Sequence, residues 1–284
     1  MNIDFVILAA GKGTRMGGDS PKVLANLGGQ PMLQNLINTT NNFKQSKRIL
    51  VVGHKANEVK RQIKTPKKTD WVKQNKQLGT AHAVKQALSS LRRGSVSVIL
   101  YGDVPLVSAA TLKKLISSAK SNNLALLTFN KKNPSGYGRI VRKGRNSIDQ
   151  IVEEKDASTK QKEITEVNSG IMAIKSNLLS KLIPLVNNKN AAKEFYLTDI
   201  VELANKNKIS VKALLLKDST EVLGANNPQE LHDLERAYQK RLAESLIRSG
   251  VQVADSSRLD VRGDIEVRRG SFIDVNSVFD GNNT

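Results

Sequence analysis

The amino-terminal segment NIDFVILAAGKGTRM (residues 2–16) joins a short apolar run to a glycine-rich loop. Residues 2–9 are rich in Ile, Val and Phe, which predicts a buried β-strand. The glycines that follow allow backbone N–H groups to approach phosphates closely. Arg15 and Lys22 add positive charge beside this loop. The segment therefore predicts a phosphate-binding turn at the carboxyl end of a strand.

Two common glycine-rich motifs do not fit this loop. The dinucleotide-binding fingerprint needs its third glycine where Met16 stands, and Gly17 comes one residue late. The Walker A motif needs Ser or Thr after its lysine, but Lys12 is followed by Gly13. The loop is therefore a phosphate-binding candidate of another kind.

Strand and helix patterns alternate through the first half of the chain. Near-continuous apolar runs predict buried strands, and apolar residues three or four apart predict helices. The predicted strands are 2–9, 48–53, 70–74, 96–101 and 124–129, and the predicted helices are 31–43, 56–63, 80–93 and 109–122. This alternation predicts the α/β class, with a parallel Rossmann-like sheet covered by helices on both faces.

The second half of the chain departs from this alternation. Three short strand patterns with few helices between them predict an antiparallel insertion that roofs a substrate site: 139–141, 147–152 and 166–174. Two helices are predicted after them, at 178–186 and 197–205, and a late strand at 209–216. Residues 229–248 predict a long polar helix that connects two parts of the chain.

The carboxyl-terminal tail has a different period. Leu259 and Ile265 are six residues apart, as are Ile273 and Phe279, which is typical of the start of a left-handed parallel β-helix. An ordinary β-rich tail is the alternative. Because such solenoids need about three coils, we expect the chain to be part of a longer protein. The predicted domains are 1–227, a linker helix 228–249, and the β-helix start 250–284.

Composition excludes several classes of protein. The 284 residues include no cysteine, which excludes disulfides, zinc–cysteine sites and cysteine catalysis. The three histidines are isolated, so neither a Ser-His-Asp triad nor a zinc enzyme is predicted. No signal peptide and no membrane-spanning apolar run are evident, so we expect a cytoplasmic protein with no membrane partner.

The net charge of +19 raises the question of an anionic partner. The basic residues are scattered along the chain, and aromatic residues make up only 4% of it. A solvated basic surface is therefore favoured over a nucleic-acid interface, which stays as an alternative.

Asp103 is the strongest candidate for a metal ligand. It follows the predicted strand 96–101, where open α/β sheets place their ligand sites, and Mg²⁺ needs few protein oxygens when it also binds phosphates. The alternative is a carboxylate that caps the helix beginning after Pro105. Gln74, Gln77, Gly79 and Thr80 precede or begin a helix, where they can pair with a base edge or simply cap that helix.

Beyond LAAGKGTRM and Pro21–Lys22, further motifs point to one family. They are QLGTAHA (77–83), YGDVPL (101–106), GYGRI (136–140), IVEEKDA (151–157), EVNSGI (166–171), EFYLTD (194–199) and GANN (224–227). In this order they resemble the sugar-1-phosphate nucleotidylyltransferases. Together they closely resemble the uridyltransferase half of the bacterial bifunctional N-acetylglucosamine-1-phosphate uridyltransferases/glucosamine-1-phosphate acetyltransferases. The resemblance runs from about residue 3 to the end of the chain.

The resemblance implies UTP and N-acetylglucosamine 1-phosphate as substrates, Mg²⁺ as cofactor, and a set of site residues. Arg15 and Lys22 match catalytic cations, and Asp103 and Asn226 match the metal ligands, with Asn226 preferred to Asn227. The residues implied to contact the nucleotide are Leu8, Ala9, Ala10, Gly11, Gln74, Gly79 and Thr80. Tyr101 and Gly102 match the strand end that faces both nucleotide and sugar. The residues implied to hold the acetamido sugar are Gly138, Glu153 and Asn168.

The same resemblance implies a homotrimer for full-length relatives. We expect this chain to be mostly monomeric and without acetyl transfer, because little of the β-helix is present. The competing functions are nucleotidyl transfer to glucose 1-phosphate and nucleic-acid binding.

Overall fold

The computed structural model describes residues 1–11, 13, 16, 19–144, 147–281 and 283. The strands of the described residues are β1 Ile3–Ala9, β2 Asn26–Leu27, β3 Gln30–Pro31, β4 Ser46–Val52, β5 Thr69–Lys73, β6 Val96–Tyr101, β7 Leu124–Asn130, β8 Arg139–Arg142, β9 Ile148–Val152, β10 Glu166–Lys175, β11 Val211–Leu216, β12 Gln252–Val253, β13 Leu259–Arg262, β14 Phe272–Ile273 and β15 Ser277–Asp280.

The α-helices of the same residues are α1 Met32–Thr40, α2 Ala56–Gln62, α3 Thr80–Ala87, α4 Ala109–Ala119, α5 Thr159–Lys162, α6 Ser176–Leu182, α7 Ile200–Lys206 and α8 Pro228–Arg248. Short 3₁₀ turns lie at Lys22–Leu24, Leu88–Ser90, Ile183–Leu185, Leu197–Asp199 and Ser219–Val222. Two of the predicted helices, 80–93 and 178–186, end in 3₁₀ turns rather than in α-helix. The predicted helix 80–93, for example, is α3 followed by the 3₁₀ turn Leu88–Ser90.

Strand β1 lies inside a nine-stranded sheet with the order β11-β7-β10-β6-β1-β4-β5, and β8 and β9 pair beyond β10. All seven of its residues are buried because both faces of the sheet are covered. Alternate side chains point to opposite faces: Phe5 and Ile7 join one core, and Val6 and Leu8 join the other. Helices α1 and α4 cover the first face, and α3, α6 and α7 cover the second. The α/β class with helices on both faces is confirmed.

The position of β10 corrects one sequence prediction. We expected residues 166–174 to lie in an insertion outside a parallel sheet. Instead, β10 runs antiparallel between β6 and β7 in the body of the sheet. The reason is its burial pattern: Ile171, Met172, Ala173 and Ile174 are fully buried, which requires neighbours on both sides. The sheet is therefore mixed rather than parallel.

The first half of β10 runs past the carboxyl end of β6, pairs with the carboxyl end of β7, and joins the hairpin β8–β9 through the pair Val167–Arg139. The pairing shifts between Asn168 and Met172, and Gly170 has φ +82° there. A Cβ atom at Gly170 would lie 2.6 Å from the Tyr101 ring, so glycine is needed for this close approach. The predicted antiparallel insertion is thus present, built by β8, β9 and the start of β10, and its role as a roof over the substrate site stays a prediction.

Helix α8 connects the sheet to the tail. It is 21 residues long; Leu234 packs with Leu27 and Met32, whereas Ala243 and Leu246 pack with tail residues such as Val261. The prediction of a connecting helix agrees with this packing.

The tail strands pair in parallel with partners about three hexapeptides later. Leu259 pairs with Ser277, and Ile265 bridges to Asn283, each eighteen positions on. Strands β12 and β14 also pair in parallel. This parallel stacking forms a turn of a β-solenoid. The left-handed sense of the turn stays a prediction. Within the described part of the chain, no helix is long and apolar enough to cross a membrane.

Candidate active site

A cleft of about 260 Å³ opens at the carboxyl ends of β1 and β6. Its lining comes from five parts of the chain and includes most of the residues predicted for the nucleotide side. The lining residues are Leu8, Ala9, Ala10, Gly11, Lys22, Val23, Gln74, Gln77, Gly79, Thr80, Ala83, Tyr101, Asp103 and Glu194. A larger cavity of about 680 Å³ lies in the tail, lined by residues such as Phe272 and Phe279. It contains none of the predicted site residues, so the smaller cleft is the candidate site.

Lys22 enters the cleft from the 3₁₀ turn that follows Pro21. The glycine-rich loop folds back against it: Gly13 has φ +65°, and a Cβ atom there would lie 2.5 Å from Cβ of Lys22. Only glycine allows this close approach. The Lys22 ammonium lies 2.5 Å from Oδ2 of Asp103 and donates to Oδ1 of Asn226 at 2.9 Å.

Backbone contacts bring Asp103 and Asn226 together. Gly102 donates its N–H to the Leu8 carbonyl at 2.9 Å, which fixes the chain just before Asp103. The Asp103 carbonyl in turn accepts from the N–H of Ala225 at 3.3 Å. Residues 22, 103 and 226, which are far apart in sequence, therefore meet at one point of the cleft.

This arrangement fits a divalent metal. A carboxylate oxygen and an amide oxygen converge on a cation, the Lys22 ammonium, which stands where a metal would be held. No group of three or more His, Cys, Asp or Glu that could hold a metal occurs among the described residues. A hard divalent cation needs no such group, because it can bind one or two protein oxygens and take its other ligands from substrate phosphates and water.

The two neighbouring asparagines have different roles. Asn226 faces Lys22, whereas the Asn227 side chain accepts from the N–H of Glu230 at 2.9 Å and caps α8. The Asn227 oxygen is used by the helix cap, and the choice of Asn226 as the metal ligand stays a prediction.

The predicted base-binding residues lie on the turn that begins α3. The Gln74 amide nitrogen donates to the Gly79 carbonyl at 3.2 Å and lies 3.0 Å from Nδ1 of His82. Gly79 has φ +116°, and a Cβ atom there would lie 2.4 Å from the Phe195 carbonyl oxygen. Gln77 is exposed at the rim of the cleft. Gln74 and Gly79 therefore line the cleft and also hold this wall of it in shape.

Thr80 and Tyr101 link this wall to β6. The Thr80 hydroxyl accepts from the N–H of Leu197 at 2.9 Å and is also hydrogen-bonded to Tyr101. Burial raises the pKa of the Tyr101 phenol, and the nearby Glu153 and Asp103 carboxylates raise it further. Tyr101 is therefore a neutral hydrogen-bonding group between the two halves of the site.

The residues predicted to hold the sugar are brought together under the roof. Asn168 donates its N–H to the Gly138 carbonyl at 2.9 Å, and a Cβ atom at Gly138 would lie 3.4 Å from Oε2 of Glu153. The Thr198 hydroxyl donates to Oε1 of Glu153 at 2.9 Å. Burial raises the pKa of Glu153, whereas the Thr198 hydrogen bond lowers it; the net shift is upward.

The neighbouring carboxylates of Glu153 and Glu154 have different partners in the structure. Glu154 turns away from Gly138 and pairs with the buried Arg139 guanidinium at 2.7 Å. Its pKa is lowered by that hydrogen bond with Arg139. Glu154 is thus held in an ion pair, and the assignment of Glu153 to the sugar side stays a prediction.

Sequence reasoning missed some residues of the site. Thr198 and Glu194 belong to the EFYLTD motif. This motif supports the family resemblance, but no role was predicted for its individual residues. Glu230, which contacts Asn226, follows the GANN motif and had no signal. Arg15, predicted as a catalytic cation, lies outside the described residues.

Comparison with known proteins identifies the family of this chain. Residues 5–171, more than half of the chain, match the MobA-like NTP transferase domain family. The chain belongs to this family of nucleotidyltransferases, as the motifs predicted.

The curated relatives are more specific. The chain is 44% identical over 98% of its length to the bifunctional protein GlmU of Saccharophagus degradans, and 46% identical over 98% to that of Dechloromonas aromatica. It spans 61% of the length of each of these relatives.

Solved structures show the same fold. UDP-glucose pyrophosphorylase complexed with UDP-glucose aligns with a TM-score of 0.67 at 16% identity, covering 85% of this chain and 100% of that one. A glucose-1-phosphate thymidylyltransferase from Bacillus anthracis aligns with a TM-score of 0.64 at 17% identity, covering 82% and 94%. At these identities the likeness concerns the fold alone.

Proposed function

We propose that this chain transfers UMP from UTP to N-acetylglucosamine 1-phosphate, giving UDP-N-acetylglucosamine and pyrophosphate. The observation that carries the reaction class is the meeting of Lys22, Asp103 and Asn226 at the mouth of a nucleotide-sized cleft. The sugar assignment rests on the Gly138, Glu153 and Asn168 cluster together with the resemblance to the GlmU proteins.

The nucleophile needs no general base in this reaction. A phosphate oxygen of the sugar 1-phosphate is already an anion; it attacks the α-phosphorus of UTP, and the bond from that phosphorus to the β-phosphate bridging oxygen breaks as pyrophosphate leaves. Catalysis then depends on positioning and on neutralising charge at the transferring group. Lys22 would supply positive charge at the α- or sugar phosphate, and Arg15 at the departing pyrophosphate.

Asp103 and Asn226 would hold the metal, which we propose to be Mg²⁺. When bound, such an ion polarises phosphoryl oxygens and neutralises their charge. The Lys22 ammonium, which pairs with both ligands here, would then be released toward the phosphates.

On the nucleotide side, Leu8–Gly11 would face the UTP phosphates and ribose. Gln74, Gln77, Gly79 and Thr80 would face the uracil, whose edge offers donors and acceptors to amides and backbone groups. Tyr101 and Gly102 would lie between nucleotide and sugar.

The domain division 1–227, 228–249 and 250–284 is part of the proposal. Its support is the separate core that tail residues form with the end of α8, distinct from the two cores of the sheet. A cytoplasmic location, a monomeric state and the absence of acetyl transfer remain predictions, which light scattering and an acetyl-CoA assay would test.

The deciding experiment is pyrophosphate release from UTP with Mg²⁺, using N-acetylglucosamine 1-phosphate, glucosamine 1-phosphate and glucose 1-phosphate in parallel. Release with the acetylated sugar alone supports the proposal. Release mainly with glucose 1-phosphate would keep the reaction class and overturn the sugar assignment. No release with any of the three would overturn the proposed reaction.

A further inference from the structure

Glu230, in the first turn of α8, is the side chain that holds Asn226. Its Oε2 accepts from the Asn226 backbone N–H at 2.6 Å and from the Asn226 side-chain Nδ2 at 3.1 Å. Its own N–H donates to the Asn227 cap, so Glu230 is itself fixed by the helix start. The carboxylate therefore has a defined position behind Asn226.

The two partners of the Asn226 amide define which way it points. Lys22 can only donate a hydrogen bond, so it must face the amide oxygen. A carboxylate such as Glu230 can only accept, so it must face the amide nitrogen. Without Glu230 the amide could rotate by half a turn and present Nδ2, which cannot bind a metal.

Glu230 also adds negative charge close to the site. The Tyr137 phenol, on the GYGRI loop, has its pKa raised mainly by burial and further by Glu230 and Asp103, so both carboxylates lie near one hydroxyl. A second carboxylate behind the ligand pair strengthens the attraction for a divalent cation.

We propose that Glu230 is a positioning residue for the metal site: it keeps the Asn226 oxygen turned toward the metal and adds charge that favours metal binding. This inference rests on the metal assignment of the proposed function. Removing a residue that hydrogen-bonds to a metal ligand commonly lowers metal affinity by about 10-fold to 100-fold.

The test is a titration of Mn²⁺ alone, without nucleotide or sugar, into the full chain, followed by water-proton relaxation. Glu230→Ala removes both the acceptor and the charge, whereas Glu230→Gln keeps an acceptor and loses only the charge. Gln229→Ala is the control on the same helix turn, since Gln229 bonds to Asp233 and not to Asn226. Urea unfolding of each variant reports whether the helix start itself is weakened.

We expect Glu230→Ala to weaken Mn²⁺ binding by about 10-fold, Glu230→Gln to weaken it less, and Gln229→Ala to leave it unchanged. The orientation argument is tested by Asn226→Asp, because a carboxylate presents an oxygen whichever way it rotates. In that background only the charge contribution of Glu230 is left, so Glu230→Ala should weaken Mn²⁺ binding no more than Glu230→Gln does in the unaltered chain.

Equal Mn²⁺ affinity in wild type and Glu230→Ala would overturn the inference. So would an equal loss in the Asn226→Asp background, which would mean that Glu230 only braces the loop. If Asp103→Asn binds Mn²⁺ as well as wild type does, the metal assignment itself fails, and this inference with it. The titration involves no reaction, so its result is separable from the pyrophosphate-release assay.

Discussion

The ammonium nitrogen of Lys22 lies 2.5 Å from Oδ2 of Asp103, and each of these side chains is 17% exposed. This ion pair joins the turn after the glycine-rich loop to the end of β6. It also places a monovalent cation on a carboxylate that we assign to a metal. A metal held by Asp103 would take the place of the Lys22 ammonium at this oxygen and leave that ammonium available to the phosphates.

Replacing Lys22 by Gln should separate these two roles. Turnover should fall by about 100-fold or more, because the cation that neutralises charge on the transferring group is lost. Mn²⁺ binding in the absence of substrates should become tighter, because no ammonium competes for Asp103. Lys55→Gln is the control, since Lys55 pairs with Asp19 at 3.5 Å and does not line the cleft. Near wild-type turnover of Lys22→Gln would contradict the mechanism; Arg15→Ala is expected to lower turnover to a similar extent.

Removing the Thr198 hydroxyl should weaken the sugar side selectively. Thr198→Val keeps the shape of the side chain and deletes the donor to Glu153. A hydrogen bond to a charged group contributes about 1.5–3 kcal/mol, so KM for N-acetylglucosamine 1-phosphate should rise about 10-fold or more. KM for UTP should change little. Steady-state kinetics with each substrate varied in turn checks this, and an equal rise in both KM values would argue for a general loss of structure instead.

Asp199 should make stability depend on pH. Burial raises the pKa of its carboxyl to about 6, with further contributions from Glu153, Glu202 and Asp156. The unfolded chain releases this proton at a lower pH, so the folded state binds more protons between about pH 4 and 6. The contribution of this group to stability therefore falls as pH rises through that window.

Asp199→Asn should accordingly stabilise the protein more at pH 8 than at pH 5. Because the carboxyl is only half-buried, we expect a difference of about 1 kcal/mol after allowance for solvent screening. Urea unfolding of wild type and variant at both pH values measures it. A gain that is the same at the two pH values would show that the carboxyl is not destabilised by ionisation.

Gly79→Ala should be strongly destabilising. Its φ of +116° is unfavourable for alanine, and the new Cβ atom would lie 2.4 Å from the Phe195 carbonyl oxygen, which cannot move without breaking the bond to the N–H of Ala81. We expect a loss of about 2–4 kcal/mol in the free energy of unfolding.

The matched control for this substitution is Gly94→Ala. Gly94 also has a positive φ, +75°, but a Cβ atom there meets nothing within 4 Å. Only the backbone strain remains, about 1 kcal/mol. If both variants lose the same stability by urea unfolding, the contact between Gly79 and Phe195 is not tight in solution.

Much of the site could be predicted from local sequence. The apolar run of β1, the glycine-rich loop, and Asp103 at the end of β6 follow from strand periodicity and from the position of ligand sites in α/β sheets. The choice of Asn226 and Glu153 over their neighbours came from the resemblance, and the structure supplies a reason for each: Asn227 caps α8, and Glu154 pairs with Arg139.

The position of β10 could not be predicted in the same way. Its sequence reads as a strand, but strand pairing joins residues that are far apart in the chain, and no local pattern specifies the partner or its direction. Thr198 and Glu230 were missed for the same reason, since each acts on a residue from another segment.

The sequence by itself determined the α/β class, the strands and helices of the first half, and the residue types that a phosphate and metal site needs, because these depend on hydrophobic periodicity and on local chemistry. Only the tertiary structure decided that Lys22, Asp103 and Asn226 meet at one point, and that Glu230 stands behind them. Those contacts depend on how the sheet and α8 pack, which is a property of the whole chain rather than of any segment.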